Sequence, residues 1–375
     1  MKLRKTQVAA AVGAALLVAG TAVQAQTAPT VQVYGQVTRA LLWADDGEQN
    51  KWFHVDNEAS GTRFGITGTG QALPALRFGF RIELDVQSNE SQRVTFGTAT
   101  TPGIVSNFSG TTSNAGFNER HMDAWVEGGW GRVNIGQGDG AANGASESDL
   151  SGTGLANGIG VADLGGGFAH RNAAGALTNN TIGATINQQD FESRYDRLMY
   201  VTPTFGGFRG QLSWGQNGNG DIKEASVWYG AKMGGLGELA AALGWSEAGL
   251  PAVGVTKRET FGGSVSWLHG SGLNLTYSYT NRDNSVAATA AGRDSTFNYF
   301  KVGFKRGQHA VAVDYAMGDD FTAVGDEAKM YGLGYVWSPV RWLDVTASYK
   351  VHQLDVAAGS LEDIKIGTIG TRVRF

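Results

Sequence analysis

The stretch from Leu76 to Gln87 alternates without a break. Leu76, Phe78, Phe80, Ile82, Leu84 and Val86 take one set of positions; Arg77, Gly79, Arg81, Glu83, Asp85 and Gln87 take the other. Successive side chains of a β-strand point to opposite faces, so as a strand this segment has one apolar face and one charged face. Charges crowded on one face need water. A sandwich strand with its polar face in bulk solvent satisfies that need. So does a membrane strand whose polar face lines an aqueous lumen. Repetition and length separate the two.

The pattern opens at Val31–Trp43 and Gly61–Thr69 and returns at Arg120–Gly128 and Arg132–Gln137. It then runs in pairs around Phe205-Gly206-Gly207, Gly234-Gly235-Leu236-Gly237, Gly270-Ser271-Gly272, Arg306-Gly307-Gln308 and Ser338-Pro339-Val340, and closes with Glu362–Phe375. This amounts to about sixteen segments of roughly ten residues, the length a tilted strand needs to cross a bilayer. Short turns alternate with long polar connections such as Ala44–Ser60, Ser88–Glu119 and Asp283–Ser295. Outer-membrane barrels show that asymmetry, with short periplasmic turns and longer extracellular loops. Trp43, Trp130, Trp214, Trp245, Trp267, Trp337 and Trp342 lie near segment ends, where interfacial girdles form. The expected fold is all-β: a closed antiparallel transmembrane barrel of about sixteen strands, wide enough for an aqueous channel.

The N-terminus reads as an export address. Lys2, Arg4 and Lys5 precede an apolar run from Val8 to Gly20, and Val23-Gln24-Ala25 supplies the small-x-small pattern of a cleavage site. The apolar run is too short to span a bilayer. Residues 1–25 are therefore expected to be removed, leaving 26–375 as the barrel. The chain has no Cys, which excludes a disulfide frame and a thiolate metal site. Its 34 acidic residues face 27 basic ones once the leader's three are set aside. That balance argues against a nucleic-acid partner, which would favour a basic patch.

One connection is anomalous. From about Gly138 to Glu192 the chain is rich in Gly, Ala and Asn and shows no sustained period. A connection beyond about 12–15 residues in a compact domain is usually functional or disordered. Its charges are Glu147, Asp149, Asp163, Asp190 and Glu192 against Arg171 alone. The expectation is an acidic loop (residues 138–192) folded into the lumen as a constriction.

Four stretches resemble the general porins of Gram-negative outer membranes. Val31-Gln32-Val33-Tyr34-Gly35 looks like that family's opening strand, and Ser60-Gly61-Thr62-Arg63-Phe64-Gly65-Ile66 like its second. Tyr200-Val201-Thr202-Pro203-Thr204-Phe205-Gly206-Gly207-Phe208 is similar to the strand and turn after the constriction loop. Thr371-Arg372-Val373-Arg374-Phe375 resembles the closing signal read by the insertion machinery. The resemblance implies a sixteen-stranded homotrimer in the outer membrane, surrounded by lipid and lipopolysaccharide, whose third extracellular loop folds inward. It also implies a second loop, at Ser88–Glu119, that latches onto a neighbouring subunit. A basic arc on the wall then faces loop acids. Carried over by motif, Arg63, Arg120 and Arg197 belong to that arc, while Gln36 stands where some relatives have Lys. The loop lacks the Pro-Glu-Phe-Gly-Gly stretch of enterobacterial members, so Glu147, Asp149 and Asp163 all stay candidates for the constriction acid.

Alternation alone adds Arg81 to the arc and places Arg77 and Arg132 at the periplasmic mouth. Two unit charges about 10 Å apart interact by about 0.4 kcal/mol in bulk water, and several-fold more beside low-dielectric walls. Arginines facing carboxylates thus set up a transverse field that polar solutes can align with. Arg39 is a misfit: parity puts it on the outer face, where a midplane Arg costs about 2–4 kcal/mol unless an interface, a bulge or interfacial height relieves it. No Gly-x-Ser-x-Gly elbow, phosphate loop or metal-spaced histidines appear, so neither enzyme activity nor a cofactor is expected. Asn217-Gly218-Asn219-Gly220-Asp221 lacks the frame of a calcium loop and reads as an exposed turn. The function expected is passive diffusion of ions and small hydrophilic solutes. A substrate-specific channel for sugars, peptides or phosphate is the alternative.

Overall fold

The structure, a computed structural model, describes residues 29–100, 102–105, 117–217, 220–249, 255–286 and 293–375. The candidate leader 1–25, residues 106–116 of the second long connection and Gly218-Asn219 lie outside the described residues.

Sixteen antiparallel strands close on themselves. They are β1 (Thr30–Asp45), β2 (Arg63–Leu73), β3 (Leu76–Asp85), β4 (Asn118–Gly128) and β5 (Gly131–Asp139). After the long connection come β6 (Arg194–Val201), β7 (Phe208–Asn217), β8 (Gly220–Lys232), β9 (Glu238–Gly249) and β10 (Val255–Leu268). The circuit ends with β11 (Leu273–Val286), β12 (Arg293–Arg306), β13 (His309–Asp319), β14 (Glu327–Val340), β15 (Leu343–Val356) and β16 (Ile364–Arg374). Two short loop strands, Asn50–Asp56 and Gly359–Ser360, extend the same sheet.

The seam is made by β1. Gln36 to Asp45 pairs with Arg374 to Lys365 of β16, while Thr30 to Gln36 pairs with Thr69 to Arg63 of β2. Phe375 and Gly35 exchange reciprocal backbone hydrogen bonds at 3.1 and 3.0 Å. Above the point where β2 ends, Asn50–Asp56 replaces it beside β1, with Arg39 opposite Asp56. That register settles the Arg39 misfit. Its guanidinium does face outward, but it pairs with Asp56 and donates to Ser88 Oγ at 2.8 Å, so the carboxylate comes from its own chain.

Parity sorts the side chains as a barrel requires. Phe78, Phe80 and Ile82 stand exposed outside while Glu83 is buried within, and Leu212, Val227, Leu243, Val302 and Val313 continue the outer apolar band. Trp130, Phe205, Phe208, Trp337 and Trp342 are exposed beside the short turns. Among the described residues no helix is long and apolar enough to cross a membrane; crossing falls to the strands. Tight turns join the strands at this end. Between β12 and β13, Gly307 has φ 58°, as a primed hairpin turn demands of its first central residue. Several strands exceed bilayer length, β1 reaching 16 residues, so the wall projects beyond the membrane on the long-loop side.

The core lies inside the barrel, not between sheets. On the long-loop half the lumen-facing residues Leu42, Phe297, Met330, Leu354, Ile364 and Ile366 are apolar and buried. They pack against Phe53 of the first long connection, Phe96 of the second and Ile159, Val161, Phe168 and Ile182 of the third. Part of Ser88–Glu119 thus folds over its own barrel: Thr95–Gly97 pairs with Pro102–Val105, and the Phe96 ring sits 5.0 Å from Phe168.

Candidate functional site

The connection between β5 and β6 leaves the wall at a buried arginine. Arg197 donates to Asp123 Oδ2 at 2.8 Å and to the carbonyls of Gly136 and Asp139 at 2.6 and 2.8 Å. Its side chain is only 2 % exposed. This corrects its place in the basic arc: Arg197 is neutralised inside the wall and fixes the root of the loop. The sequence motif located it on a lumen-facing position but gave no sign of Asp123, 74 residues earlier.

From there the loop follows the inner wall. Ala141 N donates to Ser213 Oγ at 2.8 Å, Ser148 N to Ser264 Oγ at 2.8 Å and Leu150 N to Ser266 Oγ at 2.9 Å. Ser278 Oγ in turn donates to Ser146 O at 2.7 Å. Hydroxyls of β7, β10 and β11 thereby satisfy loop backbone that would otherwise be buried unpaired. Small side chains make room for it. A Cβ on Gly334 would lie 2.3 Å from Asn157 Oδ1, and one on Gly244 2.6 Å from the Phe191 ring.

A buried polar clamp holds the first limb. Lys301 of β12, fully buried, donates to Asp149 Oδ2 at 2.7 Å and to Asn157 O at 2.5 Å. Asp314 of β13 accepts from Tyr299 OH at 2.9 Å and from Asn157 Nδ2 at 3.0 Å. Burial alone would raise the Asp149 pKa, but the Lys301 ammonium and hydrogen bonds outweigh it and keep the carboxyl below its ordinary range. Asp149 therefore borders the channel while its charge is spent on a wall lysine rather than on arginines opposite. Sequence reading missed Lys301, 152 residues away, although its parity marks it as lumen-facing.

Across the lumen stands the charged wall of β2–β5. Arg120 donates to Glu83 Oε1 at 2.7 Å and lies 3.2 Å from Asp85; Arg63 is 3.7 Å from Glu83 and donates to Ser60 Oγ at 2.8 Å. Tyr34 OH donates to Glu83 Oε2 at 2.8 Å. Arg81, 35 % exposed, contacts His121 and lies 3.7 Å from Asp139, which also holds Arg194 at 2.9 Å. The structure thus brings Arg63, Arg81 and Arg120 together on one wall. Glu83 and Asp85, read from alternation as lumen charges, turn out to offset two of the three. Arg77 and Arg132 share Glu127 near the β4–β5 turn, with the Arg132 guanidinium 4.0 Å over Trp125. Gln36 donates to Ser60 O and Gly61 O, both at 2.8 Å, and adds no charge.

Beside the loop lies a cavity of about 610 Å³ bordered by Ser60, Glu147, Asp163, Asp344, Arg372 and Arg374. Glu147 is exposed in it and accepts from Gln188 Nε2 at 2.9 Å; Asp163 is half-buried. The confined lumen strips both carboxyls of water and lifts their pKa, Asp163 to about 8. Arg372 and Arg374, quoted above only as part of the closing signal, both anchor on Asp344, at 2.8 and 3.1 Å. Among the described residues no group of three or more His, Asp or Glu side chains is placed to hold a metal ion.

A family model described as Gram-negative porin matches residues 9–362. The chain belongs to that family. No curated sequence matches it. The fold of this porin is also that of solved structures. An anion-selective porin from Comamonas acidovorans is 17 % identical with a TM-score of 0.66, over 93 % of this chain and 100 % of that one. OmpT of Vibrio cholerae in its trimer form is 16 % identical with a TM-score of 0.58, again over 93 % and 100 %. Salmonella typhi OmpF, in complex with daunomycin, is 12 % identical with a TM-score of 0.61 over 93 % and 100 %. This porin is an outer-membrane channel for passive diffusion. Its long connections are then the extracellular ones.

Proposed function

We propose that ions and small hydrophilic solutes cross this porin through a constriction set between Glu147 and Asp163 on the third loop and Arg63, Arg81 and Arg120 on the wall. The carrying observation is the cavity inside the barrel, bordered by both loop acids and by Ser60, whose hydroxyl accepts from Arg63 of the arginine wall. Charges of opposite sign on facing sides give a transverse field, strengthened by the low-dielectric walls. A polar solute aligns its dipole with that field. An apolar one must displace the water the field orders, and it is slowed.

The arc is weaker than its arginine count suggests. Arg63 and Arg120 share their charge with Glu83 and Asp85, which leaves Arg81 as the most exposed of the three. Arg81→Gln removes about one unit charge at a lumen distance where that charge is worth about 0.4 kcal/mol, or about a factor of two. Reversal potentials across a potassium chloride gradient should therefore show the cation-to-anion permeability ratio rising about twofold. An unchanged ratio sinks the transverse-field reading.

We further propose a homotrimer and export by a leader cleaved after Ala25. Both rest on family membership and the sequence pattern, and the trimer also on the OmpT likeness. Conductance steps arriving in threes, and a mature chain beginning at Gln26 on N-terminal sequencing, are the expected results. The family and fold are those of a channel rather than of an enzyme.

A further inference from the structure

We propose that His170 of the third loop and His352 of β15, joined by the Met330 thioether of β14, form a site for one soft monovalent metal ion of the copper(I) class. The bound ion pins the loop to the wall. The site is independent of the path that solutes take through the porin.

It starts from the docking of the loop's second limb. Glu362, just ahead of β16, donates its N–H to Arg171 O at 2.9 Å, and its carbonyl accepts from His170 Nδ1 at 3.0 Å. A carbonyl can only accept, so Nδ1 carries the ring proton. The ring is fully buried, where an imidazolium is costly, so it is neutral and Nε2 keeps a lone pair. A backbone carbonyl that fixes one ring nitrogen and leaves the other bare is how proteins aim an imidazole at a metal.

His352 comes from the wall. Its ladder partners are Met330 on β14 and Ile364 on β16, and Ile364 is two residues past Glu362. The carbonyl that holds His170 is therefore roughly 7 Å along the strand from the level of His352. The two rings are close enough to act on each other electrostatically. Directly opposed residues of an antiparallel pair hold their Cβ atoms about 5 Å apart, which puts the buried Met330 thioether within reach of the His352 ring.

Three ring nitrogens meet here without a hydrogen-bond partner among the described residues: His170 Nε2, His352 Nδ1 and His352 Nε2. Their residues are 0 % and 1 % exposed. Buried polar atoms left unpaired are costly and rare, and a bound ion is one of the few things that accounts for them. The surroundings supply no remedy, since Phe168, Leu354, Ile364 and Ile366 make up the rest of the patch.

The donors select the ion. Two imidazoles and a thioether suit copper(I), whereas calcium and magnesium need oxygen ligands. The chain has no Cys to offer a thiolate. The nearby carboxylates are engaged elsewhere, Asp363 by Gln353 Nε2 at 3.1 Å and Asp314 by Tyr299 OH at 2.9 Å. Lys350, fully buried two residues before His352 on the same face, adds a positive charge that a divalent ion would feel twice as strongly.

Silver(I) is the probe, because it shares the charge and softness of copper(I) without its redox chemistry. Calorimetric titration of the purified porin in chloride-free buffer should show one tight site per chain, with zinc(II) weaker by about tenfold or more. His352→Leu should abolish that site. Silver should also slow tryptic cleavage after Arg171 several-fold in wild type, since an ion held only by the docked loop stabilises docking by mass action. It should leave the rate in His352→Leu unchanged, which controls for silver acting on trypsin or on surface sulfur. If His352→Leu does not insert, Met330→Leu, of similar volume, should weaken silver binding by about tenfold or more. Equal silver binding in wild type and variant overturns the inference. So does a cleavage rate that silver does not move, or zinc binding tighter than silver.

Discussion

Phe168→Ala is expected to release the third loop while leaving the barrel standing. The ring is fully buried, 5.0 Å from Phe96 and 5.5 Å from Phe53, at the point where all three N-terminal extracellular loops meet. Removing a buried Phe costs about 3–5 kcal/mol in lost transfer energy and residual cavity. Here that loss falls on docking of the loops, because the strand ladders do not depend on Phe168. Arg171 reports it. In the intact protein its guanidinium is buried on Asp46 at 2.8 Å, out of reach of trypsin. The variant should be nicked after Arg171 many times faster, with strand content by circular dichroism unchanged. Equal cleavage rates in variant and wild type would mean the aromatic cluster does not hold the loop.

Lys301→Met is expected to lift the other limb. It leaves Asp149, Thr153 Oγ1 and the Asn157 carbonyl facing a thioether in a buried space. Breaking one partner of a buried ion pair costs about 3–5 kcal/mol, because an uncompensated charge remains. Single-channel records should show noisier open current and a larger mean conductance as the limb leaves the wall. The double variant Lys301→Met with Asp149→Leu removes both charges, and replacing a buried pair by apolar groups is often neutral. Its current should therefore return toward wild type. Quiet current in Lys301→Met alone would show that the clamp is not what fixes the loop.

Much of the fold could be read from alternation, because parity in a strand is a local property. Leu76 to Gln87 has its apolar set outside and its charged set inside, and the same rule put Arg81 on the wall where the family motif had put Arg63 and Arg120. The loop's limits were also local, since periodicity stops after Asp139 and resumes at Arg194. What was not legible depends on contacts far apart in the chain. Asp149 looked like a free pore acid until Lys301 was placed beside it, and Arg197 looked like a pore base until Asp123 was. Parity also fails where both faces are apolar. Ile364 and Ile366 point inward and Ile369 outward, and alternation has no means of telling a lipid-facing surface from one that packs under a loop. The extracellular half of the lumen is apolar on that side, and no window of sequence announces it.

The seam between β1 and β16 governs the order in which the molecule can be made. Gln36 cannot meet Arg374, nor Gly35 meet Phe375, until β16 and Phe375 after it have been delivered. Every shorter product of synthesis or translocation has two open strand edges, one on β1 and one on whichever strand came last. Open edges are templates for pairing with other chains. Contacts between residues so distant in sequence also form slowly, since the closure entropy must be met before they stabilise anything. Closure is thus the final and slowest event, and the edge of β1 must be held by something else until then. Phe375, bonded to Gly35 through both backbone groups, is the latch that ends that dependence.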